Sequence, residues 1–287
     1  MFLPILMFLA CSKPVKTFDQ IDLQGHRGAR GLWPENSLYG FQKVLDLGVN
    51  TLELDLAITG DSQVLVSHEP YFSPEICLYK SGNEISEEEA RKLNIYKMSY
   101  EEIQAYDCGT KLHPRFPDQE KVAVTKPLLS EVLSTIESEV AERGLDTMRY
   151  NIELKSSAST DNEYHPTPDV FSDMVYSVID QHLDWSQVTI QSFDFRVLQY
   201  FKKQYPTVNL ALLIENELPW EVNLDSLGFD PDIYSCDYML LSKKIVRSIQ
   251  ERDIDVIPWT VNERQDMDQL LKWGVDGIIT DYPDRTK

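Results

Sequence analysis

The sequence predicts an α/β fold in which eight strands close into a (β/α)8 barrel. Its 287 residues, 42% of them hydrophobic, suffice for one large barrel domain or for two small domains. Short apolar runs alternate with longer segments of helical period, which is typical of repeated βα units. The runs also number eight, which suggests a closed barrel. The predicted strands cover residues 22–26, 51–57, 148–155, 187–192, 209–214, 233–237, 255–259 and 277–280.

Helices are predicted between these strands. Asn36 precedes the first helix and can cap its free amides. The second helix starts just after Pro127 and stops at Gly144, which makes its ends the clearest in the chain. The predicted helices cover residues 37–47, 128–143, 169–180, 195–204, 243–251 and 263–273.

The stretch 69–126 does not follow the βα alternation. It is long and polar, and Gly and Pro residues interrupt it. We predict an insertion after the second barrel strand, because a connection of this length usually forms a lid or subdomain near a binding site. The alternative is a separate domain. The chain then comprises a signal and linker at 1–17 and one barrel domain at 18–287.

The N-terminus resembles the export signal of a bacterial lipoprotein. Residues 1–10 are almost wholly apolar and are followed by Cys11, after which the sequence becomes polar. The run is half the ~20 residues that a membrane span needs. We expect lipidation of Cys11, export from a bacterial cytoplasm and anchoring that faces the periplasm or the cell surface. The alternatives are a mis-assigned start and a plain apolar N-terminus.

Charge and cysteine content limit the partners. A formal charge of −20 disfavours nucleic acid, because binding to it depends on Lys and Arg displacing counterions. The lipid anchor is the only predicted contact with a membrane. Cys77 and Cys108 could pair in an oxidising compartment, but the sequence leaves that pairing and the oligomeric state open.

Three carboxylates are predicted to bind a metal. In the strand 51–57, Glu53 and Asp55 point to one face and leucines to the other, and Glu153 occupies the same kind of position in 148–155. Carboxylates that point together into a barrel need a cation or a proton to neutralise them. Hard oxygen ligands suit one divalent cation, Mg²⁺ or Ca²⁺. The competing interpretation is an edge strand with one solvated face.

Two histidines are candidates for proton transfer. His26 ends the first strand between glycines, and His68 ends the short apolar run 64–67, which places it at a comparable height. An ordinary pKa near ~6.5 suits an imidazole to act as acid or base. Arg27 offers a planar fork for a phosphate, and Lys155 could neutralise a phosphate oxygen or merely pair with Glu153.

A set of ordered motifs resembles the glycerophosphodiester phosphodiesterase family from about Gln24 to Pro283. The motifs are Gly25-His26-Arg27-Gly28 with Pro34-Glu35-Asn36, Glu53-Leu54-Asp55, His68, Glu153-Leu154-Lys155, Gln191-Ser192-Phe193, Trp259-Thr260-Val261-Asn262 and the run from Asp276 to Pro283. No single tripeptide is specific, but the ordered set of eight is.

The resemblance implies a TIM barrel with its active site at the C-terminal ends of the strands. It implies that Glu53, Asp55 and Glu153 bind the cation and that His26 and His68 act as acid and base. Arg27 and Lys155 would steady the phosphate, and Phe193 and Trp259 would line the pocket. The implied reaction converts a glycerophosphodiester into sn-glycerol 3-phosphate and an alcohol.

One position departs from the family pattern. The family usually has His-Asp at the second histidine, whereas this chain has Glu69 after His68. The orienting contact made by that position is therefore in question. His113, His165 and His182 match no motif, and we predict that they lie on the surface.

Two other functions remain open. The first is a lysophospholipase D or phosphoinositide-type phosphodiesterase on the same barrel, which would favour an apolar lid. The second is a surface lipoprotein that only binds a ligand. A binding module, however, needs no such combination of histidines, acids and lysine.

Overall fold

Eight parallel strands surround a central axis in the computed structural model, which describes residues 15–287. Within these residues the strands are β1 (Asp22–Gly25), β2 (Thr51–Ile58), β3 (Val64–Val66), β4 (Leu78–Tyr79), β5 (Tyr106–Asp107), β6 (Arg149–Leu154), β7 (Val188–Ser192), β8 (Asn209–Ile214), β9 (Ile233–Cys236), β10 (Asp255–Val256) and β11 (Gly277–Thr280). Every predicted strand is present, with ends shifted by three residues at most.

The barrel is nearly closed. Parallel pairing runs in the order β10, β9, β8, β7, β6, β2, β1 and β11. β10 and β11 stand at the two ends of this order, and hydrogen bonds connect them. Asp276 N donates to Val256 O at 2.9 Å, and Ile279 N donates to Pro258 O at 3.0 Å. These bonds bring β10 and β11 together, and the predicted (β/α)8 TIM barrel is confirmed.

Helices cover the outside of the barrel. Within residues 15–287 they are α1 (Leu38–Val44), α2 (Glu87–Ala90), α3 (Tyr100–Ile103), α4 (Leu129–Arg143), α5 (Pro168–Asp180), α6 (Phe195–Gln204), α7 (Trp220–Leu227), α8 (Lys243–Gln250) and α9 (Arg264–Trp273). All six predicted helices are present. Three helices were not predicted: α2 and α3, which lie in the segment 69–126, and α7, which starts directly after Pro219 without a side-chain cap.

The predicted cap of α1 is wrong. Ser37 occupies the N-cap position, and its Oγ accepts a hydrogen bond from Gly40 N at 3.0 Å. Asn36 has a left-handed backbone (φ 51°) and turns its side chain towards the barrel interior instead. The side chain of an Asn before a helix can cap that helix or bond elsewhere. Here the Asn36 amide donates to the buried carboxylate of Asp55.

The run that ends at His68 is not a barrel strand, so the reason given for that residue's position is wrong. β3 is antiparallel to β2 and lies outside the order of the eight strands. It forms a hairpin that returns towards the barrel centre, where Ser67 N donates to Asp55 O at 2.8 Å. The hairpin, and not a strand end, places His68 beside the inward-pointing carboxylates.

The segment after this hairpin builds a small unit against β2 and β3. It contains α2, α3 and the two-stranded sheet of β4 and β5. Its apolar cluster includes Phe72, Ile95 and Ile103, and this cluster shares Leu65 of β3. Cys77 and Cys108 form a disulfide inside it, which answers the pairing question. Such bonds persist mainly in oxidising compartments, which is compatible with the predicted export.

The N-terminal predictions receive no structural test. Cys11 and the apolar run before it lie outside the described residues. Among residues 15–287, no helix combines the length and the apolar character that crossing a membrane requires. Lipidation and export therefore stay predictions.

Candidate active site

Three buried carboxylates converge inside the barrel. Glu53 and Asp55 lie on β2, and Glu153 lies on β6 in direct register with Asp55. One oxygen from each lies within 4.8 Å of the others, and the three residues are 2%, 1% and 6% exposed. The leucines between them face the helices, as the alternation of the strands predicts.

The electrostatics of this triad favour a bound cation. Burial and the neighbouring Asp55 raise the pKa of Glu53 well above its usual range. Burial likewise raises the pKa of Glu153 to about 7, although Lys155 opposes that rise. Within residues 15–287, the buried Asp55 Oδ1 has no hydrogen-bond partner. Three oxygen donors, one of them unpartnered, fit a hard divalent cation.

Neighbouring groups fix the orientation of the carboxylates. Glu53 accepts hydrogen bonds from Gln191 Nε2 at 2.7 Å and from the backbone N–H of Arg27 at 2.9 Å. Asp55 Oδ2 accepts one from Asn36 Nδ2 at 2.8 Å. Such outer contacts hold metal ligands in place, so the amides of Gln191 and Asn36 belong to the site.

His26 is held by a carboxylate from the last strand. Its Nδ1 lies 2.6 Å from Asp281 Oδ1, and its Nε2 lies 3.9 Å from Glu53 Oε2. Arg30 Nε also donates to Asp281 Oδ1, at 2.7 Å. Burial, reinforced by Arg30, lowers the pKa of His26 to about 4, while Asp281 opposes the shift.

His68 is linked to the triad through Lys155. Its Nδ1 lies 2.8 Å from Glu69 Oε1, and its Nε2 lies 3.0 Å from Lys155 Nζ. Lys155 Nζ also lies 2.9 Å from Glu153 Oε1. Burial lowers the pKa of His68. Glu69 therefore makes the orienting contact that the sequence left in question.

Arg27 is tied into the same network. Its Nη1 donates to Glu35 Oε1 at 3.0 Å, and its Nε lies 3.2 Å from Asp55 Oδ2. Burial alone would raise the pKa of Glu35, but Arg27 and Arg30 lower it to about 2. Arg27 thus sits at the site with its guanidinium already positioned by two carboxylates.

The predicted aromatic residues are partly exposed and contact each other. The rings of Phe193 and Trp259 meet edge to face, with centroids 5.6 Å apart. Lys155 Nζ lies 5.8 Å from the Phe193 centroid, which links this pair to the polar site. Trp259 Nε1 donates to Ser235 O at 3.0 Å and so fixes the indole.

The prediction that the three remaining histidines lie on the surface is wrong for two of them. His113 and His165 are each 3% exposed, whereas His182 is exposed as predicted. His165 packs within its own loop, where its Nε2 accepts from Ser157 N at 3.1 Å. A polar sequence around a histidine does not show whether the surrounding loop folds over it.

Sequence reasoning also missed several residues of the site. Asp281 belongs to one of the motifs, but no role was predicted for it. In the structure its carboxylate accepts hydrogen bonds from Asn262 Nδ2 and Arg30 Nε. A carboxylate directly after a barrel strand was the available signal. Arg30 and Glu35 lie in loops, where no periodicity indicates the direction of a side chain.

A buried lysine contacts the turn that carries His68. Lys126 is 8% exposed, and its Nζ donates to Ser67 Oγ at 2.9 Å. Ser67 Oγ in turn donates to Glu69 O at 2.6 Å. This chain of bonds braces the turn that carries His68. Burial lowers the pKa of Lys126 to about 8, so the charged ammonium is held at a cost.

Replacing Lys126 by methionine should raise the free energy of unfolding at pH 7 by roughly 2 kcal/mol. The unfolded chain binds more protons than the folded one between about pH 8 and ~10.4, so wild-type stability rises with pH there. The gain from Lys126→Met should therefore shrink over that range. Urea unfolding at several pH values measures it, with the exposed Lys272→Met as control. A variant less stable than wild type at pH 7 would contradict this account.

Comparison with known proteins supplies sequence relatives. The chain matches the model of the glycerophosphoryl diester phosphodiesterase family over residues 26–285. A glycerophosphodiester phosphodiesterase of Bacillus altitudinis is 29% identical over 264 residues, covering 91% of this chain and 94% of the relative. Lysophospholipase D GDPD1 of Homo sapiens is 25% identical, and that match covers 91% of this chain and 83% of the relative.

Solved structures share the barrel. A protein of Silicibacter pomeroyi DSS-3 assigned as a glycerophosphoryl diester phosphodiesterase matches with a TM-score of 0.81 at 27% identity, covering 93% of this chain and 91% of its own. A phosphodiesterase of Oleispira antarctica, solved with the product sn-glycerol-3-phosphate, matches with a TM-score of 0.72 at 20% identity, covering 92% and 94%. At 20% identity, the likeness to the Oleispira antarctica structure shows a shared fold and nothing more.

Proposed function

Because this chain belongs to the glycerophosphoryl diester phosphodiesterase family and is an enzyme of that class, we propose a specific reaction for it. The enzyme hydrolyses glycerophosphodiesters to sn-glycerol 3-phosphate and an alcohol, using one divalent cation and two histidines. The observation that carries this proposal is that both histidines adjoin one carboxylate triad, His26 through Glu53 and His68 through Lys155. The product found with the Oleispira antarctica protein is the same compound.

Glu53, Asp55 and Glu153 would hold the cation. When bound there, Mg²⁺ or Ca²⁺ supplies Lewis-acid chemistry, because it withdraws electron density from a nonbridging phosphate oxygen. The raised pKa values of Glu53 and Glu153 support this assignment, since burial and mutual repulsion disfavour three ionised carboxylates without a cation.

Each histidine presents Nε2 as the atom that takes or gives a proton. The carboxylates of Asp281 and Glu69 accept at Nδ1 of His26 and of His68, which places the ring proton on Nδ1. Nε2 is then unprotonated in the neutral ring and able to accept a proton. One histidine would activate the nucleophile, either water or the glycerol 2-hydroxyl, and the other would protonate the leaving oxygen. Attack by the 2-hydroxyl would expel the alcohol and give a cyclic phosphate, which water would then open to sn-glycerol 3-phosphate.

Lys155 and Arg27 would neutralise the phosphate. Burial alone would lower the pKa of Lys155, but Glu153 and Asp55 outweigh burial and raise it. The ammonium group therefore stays charged beside His68, where a transferring phosphoryl group needs positive charge. Phe193 and Trp259 would form an apolar wall beside it.

A phosphorus NMR assay tests the reaction. We expect sn-glycerol 3-phosphate to appear from glycerophosphocholine or glycerophosphoglycerol when Mg²⁺, Ca²⁺ or Mn²⁺ is supplied, and to stop with chelator. Lysophosphatidylcholine belongs in the same panel, because lysophospholipase D relatives match this chain at 25% identity. Turnover of lysophosphatidylcholine alone would contradict the proposed substrate class and would identify lysophospholipids as the substrates. Absence of turnover over the whole panel would contradict the proposal.

A further inference from the structure

A cavity of about 200 Å³ opens beside His68, and none of the three triad carboxylates lines it. Arg27, His68 and Glu69 line it, together with His113 and Glu75 from the segment after β3. A cavity of this volume has room for one small alcohol.

The charges that line this cavity balance. Arg27, Arg30 and Arg115 face Glu35, Glu69 and Glu75. Glu35 is paired with Arg27, and one oxygen of Glu69 is paired with His68. Because the three positive and three negative formal charges of the lining cancel, the cavity suits a neutral hydroxylated group.

His113 lines this cavity and carries one hydrogen-bond donor. The residue is 3% exposed, and its Nδ1 accepts the backbone N–H of Arg115 at 3.1 Å. Nδ1 is therefore unprotonated, and the neutral ring carries its proton on Nε2. Among residues 15–287, no group hydrogen-bonds to Nε2. The ring is held edge-on against Phe116, with centroids 4.6 Å apart.

The neutral form of His113 is maintained near pH 7. Burial lowers the pKa of the ring, and Arg115 and Arg30 add to that effect while Glu35 opposes it. Its N–H therefore stays available as a neutral donor, which pairs with a hydroxyl oxygen and not with a trimethylammonium group.

We propose that His113 is a specificity-determining residue that selects polyol leaving groups, by donating its Nε2–H to a hydroxyl of the alcohol bound beside His68. The proposal rests on the proposed function and narrows its substrate class. Glycerophosphoglycerol carries the required hydroxyls at this end, whereas glycerophosphocholine carries none. The enzyme should accordingly prefer the first.

The test compares kcat/KM for these two diesters. His113→Phe keeps an aromatic ring against Phe116 but removes the donor, so the preference for glycerophosphoglycerol should fall about tenfold, mostly through KM. His113→Gln keeps an N–H donor and should retain most of the preference. His182→Phe makes the same replacement at an exposed histidine and should change nothing. An equal loss on both diesters, or no change in the ratio, would overturn the proposal.

A binding measurement separates this proposal from the proposed function. In chelator-treated full-length protein labelled with ¹⁵N-histidine, adding glycerophosphoglycerol should shift the Nε2 signal of His113 more than glycerophosphocholine does. If wild type has no turnover on either diester, the proposed function fails, and this titration decides about His113 alone. Equal or absent shifts would overturn the assignment even in an active enzyme.

Discussion

Replacing Glu53 by glutamine is expected to reduce hydrolysis by roughly a thousandfold, the equivalent of about 4 kcal/mol of transition-state stabilisation. The substitution keeps the size of the side chain but removes one of three charges that would hold the cation. It also turns an amide N–H₂ towards Gln191 or Arg27, both of which donate to Glu53 in the wild type. Steady-state kinetics over a range of Mg²⁺ and Ca²⁺ concentrations measure the loss.

Thermal unfolding separates lost metal binding from lost folding. A cation at 100 times its Kd stabilises the folded state by about 2.7 kcal/mol, so the wild-type Tm should rise by several degrees. Without metal, Glu53→Gln should unfold near the wild-type temperature, because burial and Asp55 already penalise the Glu53 charge. Added metal should leave the variant's Tm unchanged. The control is Glu142→Gln, an exposed carboxylate on α4. Full activity of Glu53→Gln in chelator-treated buffer would remove the metal assignment.

Replacing His26 or His68 by alanine should lower kcat by at least ~10²-fold each, the usual effect of losing a general acid or base. Both variants should keep the metal-dependent rise in Tm, because neither histidine belongs to the carboxylate triad. That retained rise distinguishes proton transfer from metal binding. Rapid-quench or steady-state assays with glycerophosphodiesters measure kcat.

His182→Ala provides the matched control, since His182 is exposed and matches no motif. It should behave as wild type in both measurements. A near-normal kcat for His26→Ala or His68→Ala would exclude that residue from the mechanism. Loss of the metal-dependent Tm rise would instead indicate that the histidine supports the triad, acting through Glu53 in the case of His26 or through Lys155 in the case of His68.

The carboxylate triad was predictable because strand geometry is local. Successive side chains of a strand alternate between two faces, so Glu53 and Asp55 had to share one face wherever the strand lay. The same rule applied to Glu153. That these acids belong to neighbouring strands, with Asp55 opposite Glu153, is a result of the parallel register of β2 and β6.

The position of His68 near the other site residues was predicted for an incorrect reason. The apolar run before it reads as a strand in either direction, because periodicity carries no information on parallel or antiparallel pairing. The structure makes the run an antiparallel hairpin strand, and Lys126 braces it from 59 positions further along the chain. The longer Glu69 side chain still reaches His68 Nδ1, so this departure from the family pattern keeps the contact.

The sequence by itself determined the barrel, six of its helices and the acids that point inwards, because periodicity and strand alternation are properties of neighbouring residues. Only the tertiary structure decided which loop residues complete the site. Asp281 bonds to His26 from 255 positions away, and His113 enters the cavity from a polar segment in which nothing marks it as buried. Contacts of this kind depend on how distant segments pack, and no local pattern encodes them.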